Sequence, residues 1–431
     1  MRRSIMLSLV AVLVTGPLAA QESSRLTLAQ VYAELVATSP RIAAAQAQAR
    51  AAEARIGPAG KWPDPAIQLG LMNRNLPGLG LQDPLGMNQI QVMQMVPTAG
   101  KTGLAVKAAR ADARAEAARA DEVGWEVRAR AAMSFYDLYQ ADQSIAAMRR
   151  GRRLLEDVVR AAETMYAEGQ GSQAAALRAQ VELARMDEDL LRMGAMREGM
   201  GVRLNALLGR PSDAPVATPI LPRLPDSLPA RDSLERLALS GRPMLAAGAA
   251  KVEAADALTR RAGREIWPDL TLGVIYGQRP MPDGGTDRMA SFMLGFTLPL
   301  AAGGKQRQME KEARAMQAMS AADLSDMQAE TRGRVGEAHA DLLRARRLAE
   351  LYRHTLLPQA DATRESALAS YRAGGTDFMT LLDTQMASIR AHQELFRFEA
   401  EGGKAIAELE MLTATVLIDP ASTATESGDT Q

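Results

Sequence analysis

The sequence predicts a mainly α-helical protein with a small transmembrane β part, built from two tandem structural repeats. The first observation is internal repetition: Trp62-Pro63-Asp64 returns as Trp267-Pro268-Asp269, and Tyr166 returns as Tyr371, at an offset of about 205 residues. The second is a composition with only 4% aromatic residues and abundant Ala, Arg, Glu, Leu and Met, which is typical of long helices. The third is a set of short segments in which apolar and polar residues alternate. Because the period is too long for a solenoid unit, each repeat is a whole module.

The N-terminus has the three parts of a secretory signal peptide. Arg2 and Arg3 are basic, Ile5–Val14 is apolar, and Leu18-Ala19-Ala20 has the small residues of a cleavage site. The apolar run is shorter than the roughly 20 residues that a membrane-spanning helix needs. We therefore expect residues 1–20 to be removed and the chain to be exported.

The first repeat is assigned to residues 21–215. Its Ala-rich opening segment, from Leu28 to about Ile56, has apolar residues at helical steps and ends before Gly57-Pro58, which predicts one helix. The repeat is predicted to contain, in order, this helix, a β-hairpin (65–97) and long helices (101–208).

The second repeat is assigned to residues 216–418. It is predicted to contain a helix (about Asp232 to Arg264), a β-hairpin (269–300) and long helices (304–414). Pro358 is expected to kink its long helix, because proline removes a backbone hydrogen bond. The polar segment 419–431 has no periodicity, which predicts a disordered tail.

The long helices are the strongest architectural signal. From Lys101 to Glu168 no strong break occurs, and from Lys305 to Ala373 the only one is Pro358. At 1.5 Å per residue each rod is roughly 100 Å long. A helix of that length is stable only when it packs along similar neighbours, as helices do in a coiled coil or in a long α-helical barrel.

The alternating segments leave two interpretations open. Runs of about ten residues, such as Leu270 to Tyr276, are typical of transmembrane barrel strands, but a half-buried soluble hairpin looks the same locally. Four strands per chain have two open edges, which lipid does not tolerate. The barrel interpretation therefore requires several copies of the chain.

Several function classes have no support in the sequence. The net charge is zero, so general attraction to nucleic acid is not indicated, and the absence of Cys removes disulfides and thiolate chemistry. His339, His354 and His392 are scattered, with no ligand partners at usable spacing. No phosphate loop, nucleophile with its base or paired acid site is recognisable. We expect no enzymatic activity, no cofactor and no resident metal.

These features together resemble the TolC-like outer-membrane efflux proteins over essentially the whole mature length. The matching segments are Trp62-Pro63-Asp64-Pro65, Val96–Lys101, Tyr166–Gln180, Leu204–Gly209, Trp267-Pro268-Asp269, Leu298–Lys305 and Tyr371–Gln385. Each motif has modest specificity, whereas their order and spacing are specific. The resemblance implies a homotrimer in outer-membrane lipid, with a 12-stranded β-barrel and a periplasmic helical tunnel.

The same resemblance implies partners and sites. A periplasmic adaptor (membrane fusion) protein would dock at the helix turns of Gly169 and Gly374, and an RND-type pump of the inner membrane would supply energy to this passive duct. A periplasmic gate in the family uses a Tyr, an Arg and Asp residues. The corresponding gate residues here are Tyr371, Asp377, Thr380 and Asp383.

This chain departs from the family gate at several positions. Thr376 stands at the Arg position, Thr380 at one Asp position, and Ala175 at the partner position on the first turn. Asp377 is considered as a substitute acid. For Asp383 a solvated helix charge is an equal alternative to a gate role.

The expected cargo is less specific. The segment from Asp83 to Lys101 most resembles the heavy-metal branch of the family, the outer-membrane partners of copper/silver and cobalt/zinc/cadmium pumps. The 24 Met residues suit soft Cu(I) or Ag(I), although Met also fills irregular packing gaps. Export of heavy-metal cations is therefore expected, with drug efflux or a type I protein secretion duct as alternatives. A soluble periplasmic coiled-coil scaffold is a further, less favoured alternative.

Overall fold

A computed structural model describes residues 25–73, 86–169, 171–225, 229–281 and 283–420 of the chain. The signal peptide expected at 1–20 and most of the tail expected at 419–431 lie outside these residues. Most of the loop between the first two strands also lies outside them.

The first repeat begins with three short helices rather than one. Its elements are α1 (Leu28–Thr38), α2 (Pro40–Ala54), α3 (Ile56–Ala59), β1 (Ala66–Met72), β2 (Met87–Val96), α4 (Lys101–Ala167) and α5 (Gln173–Leu208). The continuous helix expected from Leu28 to Ile56 is wrong, because Ser39 is extended (φ −67°, ψ 111°). Pro40 disfavours helical backbone at the residue before it but fits the first turn of α2.

The second repeat has the same order of elements. They are α6 (Arg231–Gly241), α7 (Pro243–Arg264), β3 (Leu270–Pro280), β4 (Thr286–Phe296), α8 (Gln306–Leu351), a π-helical turn (Tyr352–Leu356), α9 (Leu357–Arg372) and α10 (Phe378–Thr413). The single helix expected from Asp232 to Arg264 is also wrong. It is broken at Arg242 before Pro243, as the first repeat is broken at Ser39.

The repeats match in length as well as in order. α1 and α6 have 11 residues each, and α5 and α10 have 36 each. The rod from Gln306 to Arg372 is as long as the 67 residues of α4. The two-repeat fold, mainly helical with four strands, is therefore confirmed.

The second rod has a π-helical turn, Tyr352–Leu356, just before Pro358, where a kink is expected. Proline has no N–H to donate, and its ring crowds the carbonyl one turn earlier in a regular α-helix. The wider π turn provides that space without ending the rod.

The four strands form one antiparallel sheet in the order β1-β2-β3-β4. The two repeats are joined in its middle, where Val92 of β2 pairs with Val274 of β3, which pairs with Phe292 of β4. β1 and β4 are the edge strands, and within the described chain each has one paired side only.

The helices pack side by side below the sheet. α4 contacts α2, α5, α7 and α10, while α8 contacts α7 and α10. Each repeat has its own buried cluster around its short helix: one includes Leu35, Phe135 and Leu204, and the other includes Leu234, Leu342 and Leu409. Among the described residues, no helix is both long and apolar enough to span a bilayer.

Candidate functional site

One face of the sheet is mostly covered by exposed apolar side chains. The strand register places eleven of them together, each with 40% or more of its surface exposed: Ile67, Leu69, Leu71, Ile90, Val92, Leu272, Val274, Tyr276, Phe292, Leu294 and Phe296. Phe292 is 85% exposed. We call this surface the apolar face. A contiguous apolar surface of this size indicates contact with lipid or with another protein.

The opposite face carries polar residues, glycines and methionines. It includes Gln68, Gly70, Met72, Met87, Gln89, Gln91, Met93, Met95, Thr271, Gly273, Gly277, Met289, Ser291, Met293 and Gly295. We call this surface the methionine face, because all six methionines of the four strands lie on it. Alternation of an apolar and a more polar face is typical of transmembrane barrel strands.

Methionine side chains cover the glycines of this face. Gly273 pairs with Met93 on one side and with Met293 on the other. A Cβ atom at Gly273 would lie 3.3 Å from Met293 and 3.7 Å from Met93, so both thioether side chains lean over it. Met87 covers Gly277 in the same way, with its sulfur 2.6 Å from the Cβ position.

A buried lysine joins the two repeats where the sheet meets the helices. Lys101, at the start of α4, is 5% exposed. Its Nζ donates to the carbonyl of Trp267 and to Oδ1 of Asp269, both at 2.9 Å, and lies 3.4 Å from Glu265. We call this arrangement the junction contact. Both of its sequence motifs are recognisable as repeats, but the sequence does not show that they touch.

At the far end of the rods, two glycines form the turns between helices. Gly169 (φ 75°) follows α4 and Gly374 (φ 73°) follows α9. Each turn has the hydrogen bonds of a glycine-ended helix: the N–H of Gly374 donates to Tyr371 (3.0 Å), and that of Gly375 to Ser370 (2.8 Å). Glycine adopts this left-handed backbone without a Cβ clash. We refer to these two turns as the helix tips.

Tyr371 is buried at the second helix tip. It is 6% exposed, and its ring lies against Phe378 with 6.4 Å between centroids. Both rings belong to a cluster with Leu155 and Val158 of α4 and Ala179 of α5. Removal from water raises the pKa of the Tyr371 hydroxyl, so it stays neutral.

Asp377 is the N-cap residue of α10. Its Oδ1 accepts a hydrogen bond from the backbone N–H of Thr380 at 2.7 Å. This bond favours the ionised form and lowers the pKa of the carboxyl group. The Asp377 carboxylate, expected as a substitute acid of the gate, therefore caps a helix.

Thr380 and Asp383 lie on the exposed side of α10, one turn apart, and Arg390 continues this side two turns further. The buried side of the same segment carries Leu381 and Leu382. Of the predicted gate residues, Tyr371 and Asp377 thus flank the second helix tip, whereas Asp383 lies further along α10.

Comparisons with known proteins agree with this architecture. The chain matches the outer membrane efflux protein family over residues 31–210 and 234–415. It belongs to this family. A search of curated protein sequences finds no significant match.

Solved outer-membrane channels share the fold. OprN is similar with a TM-score of 0.78, 19% identity and coverage of 90% of this chain and 89% of that one. VceC of Vibrio cholerae has a TM-score of 0.77, 17% identity and coverage of 90% and 96%. CusC, whose structures address folding and transmembrane channel formation, has a TM-score of 0.76, 15% identity and coverage of 90% and 92%.

Family membership fixes the general role. The chain is an outer-membrane efflux channel with a periplasmic helical tunnel, and the family implies a trimeric channel in a tripartite pump. Three copies of the four-stranded sheet make the predicted 12-stranded barrel, in which the apolar face contacts lipid and the methionine face lines the pore. A soluble periplasmic scaffold is excluded, and the channel is not an enzyme.

The channel also contains a buried ion pair that sequence reasoning missed. Glu122 of α4 is 1% exposed and accepts hydrogen bonds from Arg242 Nε (2.9 Å) and from the N–H of Met244 (3.1 Å). Arg242 also donates to Thr331 of α8 at 2.8 Å. The pair connects α4, α7 and α8, and its residues are too far apart in sequence to suggest pairing.

A second charge cluster is centred on Arg128 of α4, in the first repeat, whose side chain is 23% exposed. Its guanidinium stacks 3.7 Å from the ring centroid of Tyr32 and lies 3.6 Å from Glu410. Glu410 also accepts the N–H groups of Leu417 (2.8 Å) and Ile418 (3.0 Å), which fixes the chain after α10. Burial, with a contribution from Glu410, raises the pKa of Tyr32.

None of these groups forms a metal centre. In the part of the chain that the structure describes, no three His, Cys, Asp or Glu side chains gather at metal-binding distances. The sulfur atoms of the methionine face are soft ligands of a different kind.

Proposed function

We propose that this outer-membrane channel exports heavy-metal cations, in particular soft monovalent ions such as Cu(I) and Ag(I). The observation that carries the proposal is that all six strand methionines lie on the methionine face, the side away from lipid. Thioethers are soft ligands and favour soft cations. Three-fold symmetry would repeat each group three times around the pore.

Packing alone explains the methionines of the core but not the exposed ones of this face. Met148 and Met186 are buried between helices, where flexible side chains fill gaps. Met72, Met95 and Met293 are more than 40% exposed on the sheet. An apolar side chain that points into a water-filled pore gains little from burial, so a ligand role accounts better for its position.

The test is complementation of a deletion strain in its original host. The wild-type channel should restore tolerance to copper or silver more than tolerance to hydrophobic drugs. A variant with the six strand methionines changed to Leu should restore metal tolerance poorly, because Leu keeps the volume but removes the sulfur. Met316→Leu and Met319→Leu on the exposed surface of α8 are the matched controls.

The comparison requires that all variants form the same amount of heat-resistant trimer in outer-membrane extracts. Drug sensitivity of the deletion strain with unchanged metal tolerance would refute the metal proposal and favour drug efflux. Full metal tolerance in the six-Leu variant would refute a role for the sulfur atoms.

We propose that the helix tips dock a periplasmic adaptor, which links the channel to an RND-type pump. Gly169 and Gly374 lie at the exposed ends of the two long rods of each chain, where a partner has access to them. Energy would come from the pump, and the channel would be passive.

We also propose that the gate lies at the second helix tip. Tyr371 would keep it closed by packing against Phe378 and α4, since several of the family's charged partners are replaced here. Asp383 and Thr380 would line the opening from the exposed side of α10, and Asp377 would act by fixing the start of that helix.

A further inference from the structure

The junction contact occurs once within the chain, although the sequence supplies its parts twice. Lys101 and Trp267-Pro268-Asp269 are joined. Their repeat equivalents are Trp62-Pro63-Asp64, which precedes β1, and Lys305, which follows β4, and these two strands are opposite edges of the sheet. Lys305, Trp62 and Asp64 are all exposed in the single chain. The second set of partners is therefore available to another molecule.

An open groove lies beside the unpaired motif. It has a volume of about 660 Å³ and is lined by Gly57, Pro58, Lys61, Trp62, Pro63 and Asp64. Trp62 is 54% exposed at its wall. At the equivalent place in the second repeat, the Lys101 side chain and the backbone of Thr98 occupy the space against Asp269.

The edges of the sheet bring these parts together in a closed barrel. β1 starts at Ala66, two residues after Asp64, and β4 ends at Phe296, nine residues before Lys305. Within the chain Met95 pairs with Thr271, and the repeat equivalents of these two residues are Thr297 and Ala66. We call the pairing of Thr297 with Ala66 of the next copy the transferred register. It places methionine-face residues of one copy opposite methionine-face residues of the next, and apolar-face residues opposite apolar-face residues.

We propose that Lys305 of each chain inserts into the groove of the neighbouring copy. Its ammonium group would bond the Trp62 carbonyl and the Asp64 carboxylate, as Lys101 bonds those of Trp267 and Asp269. Three contacts between copies then alternate with three contacts within copies around the base of the barrel. This inference rests on the trimeric channel and is independent of the cargo.

The contact between copies is weaker than the contact within a chain. Lys101 faces two carboxylates, Asp269 and Glu265. The equivalent of Glu265 is Gly60, and the adjacent Lys61 adds a like charge to the groove. Lys61→Glu should therefore strengthen the trimer, because it replaces a like charge in the groove with an opposite one.

The experiment measures the temperature at which the purified trimer dissociates in SDS, at equal protein concentration. Asp64→Lys and Lys305→Asp should each lower it by several degrees, the double variant should recover most of the loss, and Lys61→Glu should raise it. Lys311→Asp, a charge reversal at an exposed position of α8, is the matched control. Equal dissociation temperatures for Lys305→Asp and Lys311→Asp, or a double variant as weak as the single ones, would overturn the proposal.

Cross-linking tests the register separately. The chain has no cysteine, so Ala66→Cys combined with Thr297→Cys introduces one defined pair. Paired antiparallel residues lie within disulfide distance, and oxidation should give covalent dimers and trimers. Ala66→Cys with Met293→Cys, displaced by about 13 Å along the strand, should give none. A reversed result would refute the transferred register and the contact built on it.

Discussion

Changing Glu122 to Gln should destabilise the channel far more than its distance from the pore suggests. The carboxylate uses one oxygen for Arg242 and the other for the N–H of Met244. Gln has one acceptor and one donor, so either orientation of the amide places its NH₂ group against a donor. The Arg242 guanidinium, 8% exposed, then remains buried without its counter-charge.

The magnitude follows from burial. Breaking a fully buried ion pair by removing one partner costs about 3–5 kcal/mol, and because Gln retains one hydrogen bond we expect about 3 kcal/mol per chain. Glu126→Gln, one turn further along α4, is the matched control, because Glu126 pairs with Arg41 at 2.8 Å on the surface. That change should cost below about 1 kcal/mol.

Guanidinium unfolding of the detergent-solubilised trimer measures both values, at one protein concentration because oligomer stability depends on it. Glu122→Met combined with Arg242→Met should recover much of the loss, since apolar replacement of a buried pair is often neutral. If Glu122→Gln were no more destabilising than Glu126→Gln, the burial argument would be refuted.

Three further predictions concern the helix tips. Asp383→Ala should reduce cation preference in planar-bilayer recordings, because the trimer would lose three carboxylates at the opening. Unchanged ion selectivity would show that Asp383 is a solvated surface charge and not a gate residue. Gly374→Ala should cost about 1 kcal/mol through its left-handed backbone, and Gly374→Asn should cost less in the same unfolding assay. The Asp377 cap has a lowered pKa, so its stabilisation is present above the pKa of an unfolded Asp, about 3.9, and is lost as pH falls through the folded pKa. Hydrogen exchange in the first turn of α10 should rise over that range in the wild type but not in Asp377→Asn, whose amide caps at every pH.

Local patterns in the sequence were sufficient for most of the architecture. Strand alternation and uninterrupted helical segments depend on neighbouring residues, so the four strands and the long rods are predictable one segment at a time. The breaks at Ser39 and Arg242 are also local, because each precedes a proline. The helices expected to run through both positions are wrong because a residue before proline disfavours helical backbone.

The candidate sites were predictable only in part. The sequence indicated the glycine turns, whose left-handed backbone depends on one residue. It could not assign Asp377 to a helix cap, since the same acid next to a turn also fits a gate. The sequence showed that methionine is abundant. It did not show that the strand methionines share one face, because that depends on how strands from both repeats pair.

Only the tertiary structure decided which distant charges meet. Lys101 and Asp269 lie 168 residues apart, and Glu122 and Arg242 lie 120 apart. By sequence alone, either lysine of the repeated motif, Lys101 or Lys305, could form the junction contact. The sheet order places one beside its partner within the chain and the other at an open edge. The sequence by itself determined the two repeats, and the packing of one repeat against the other made them inequivalent.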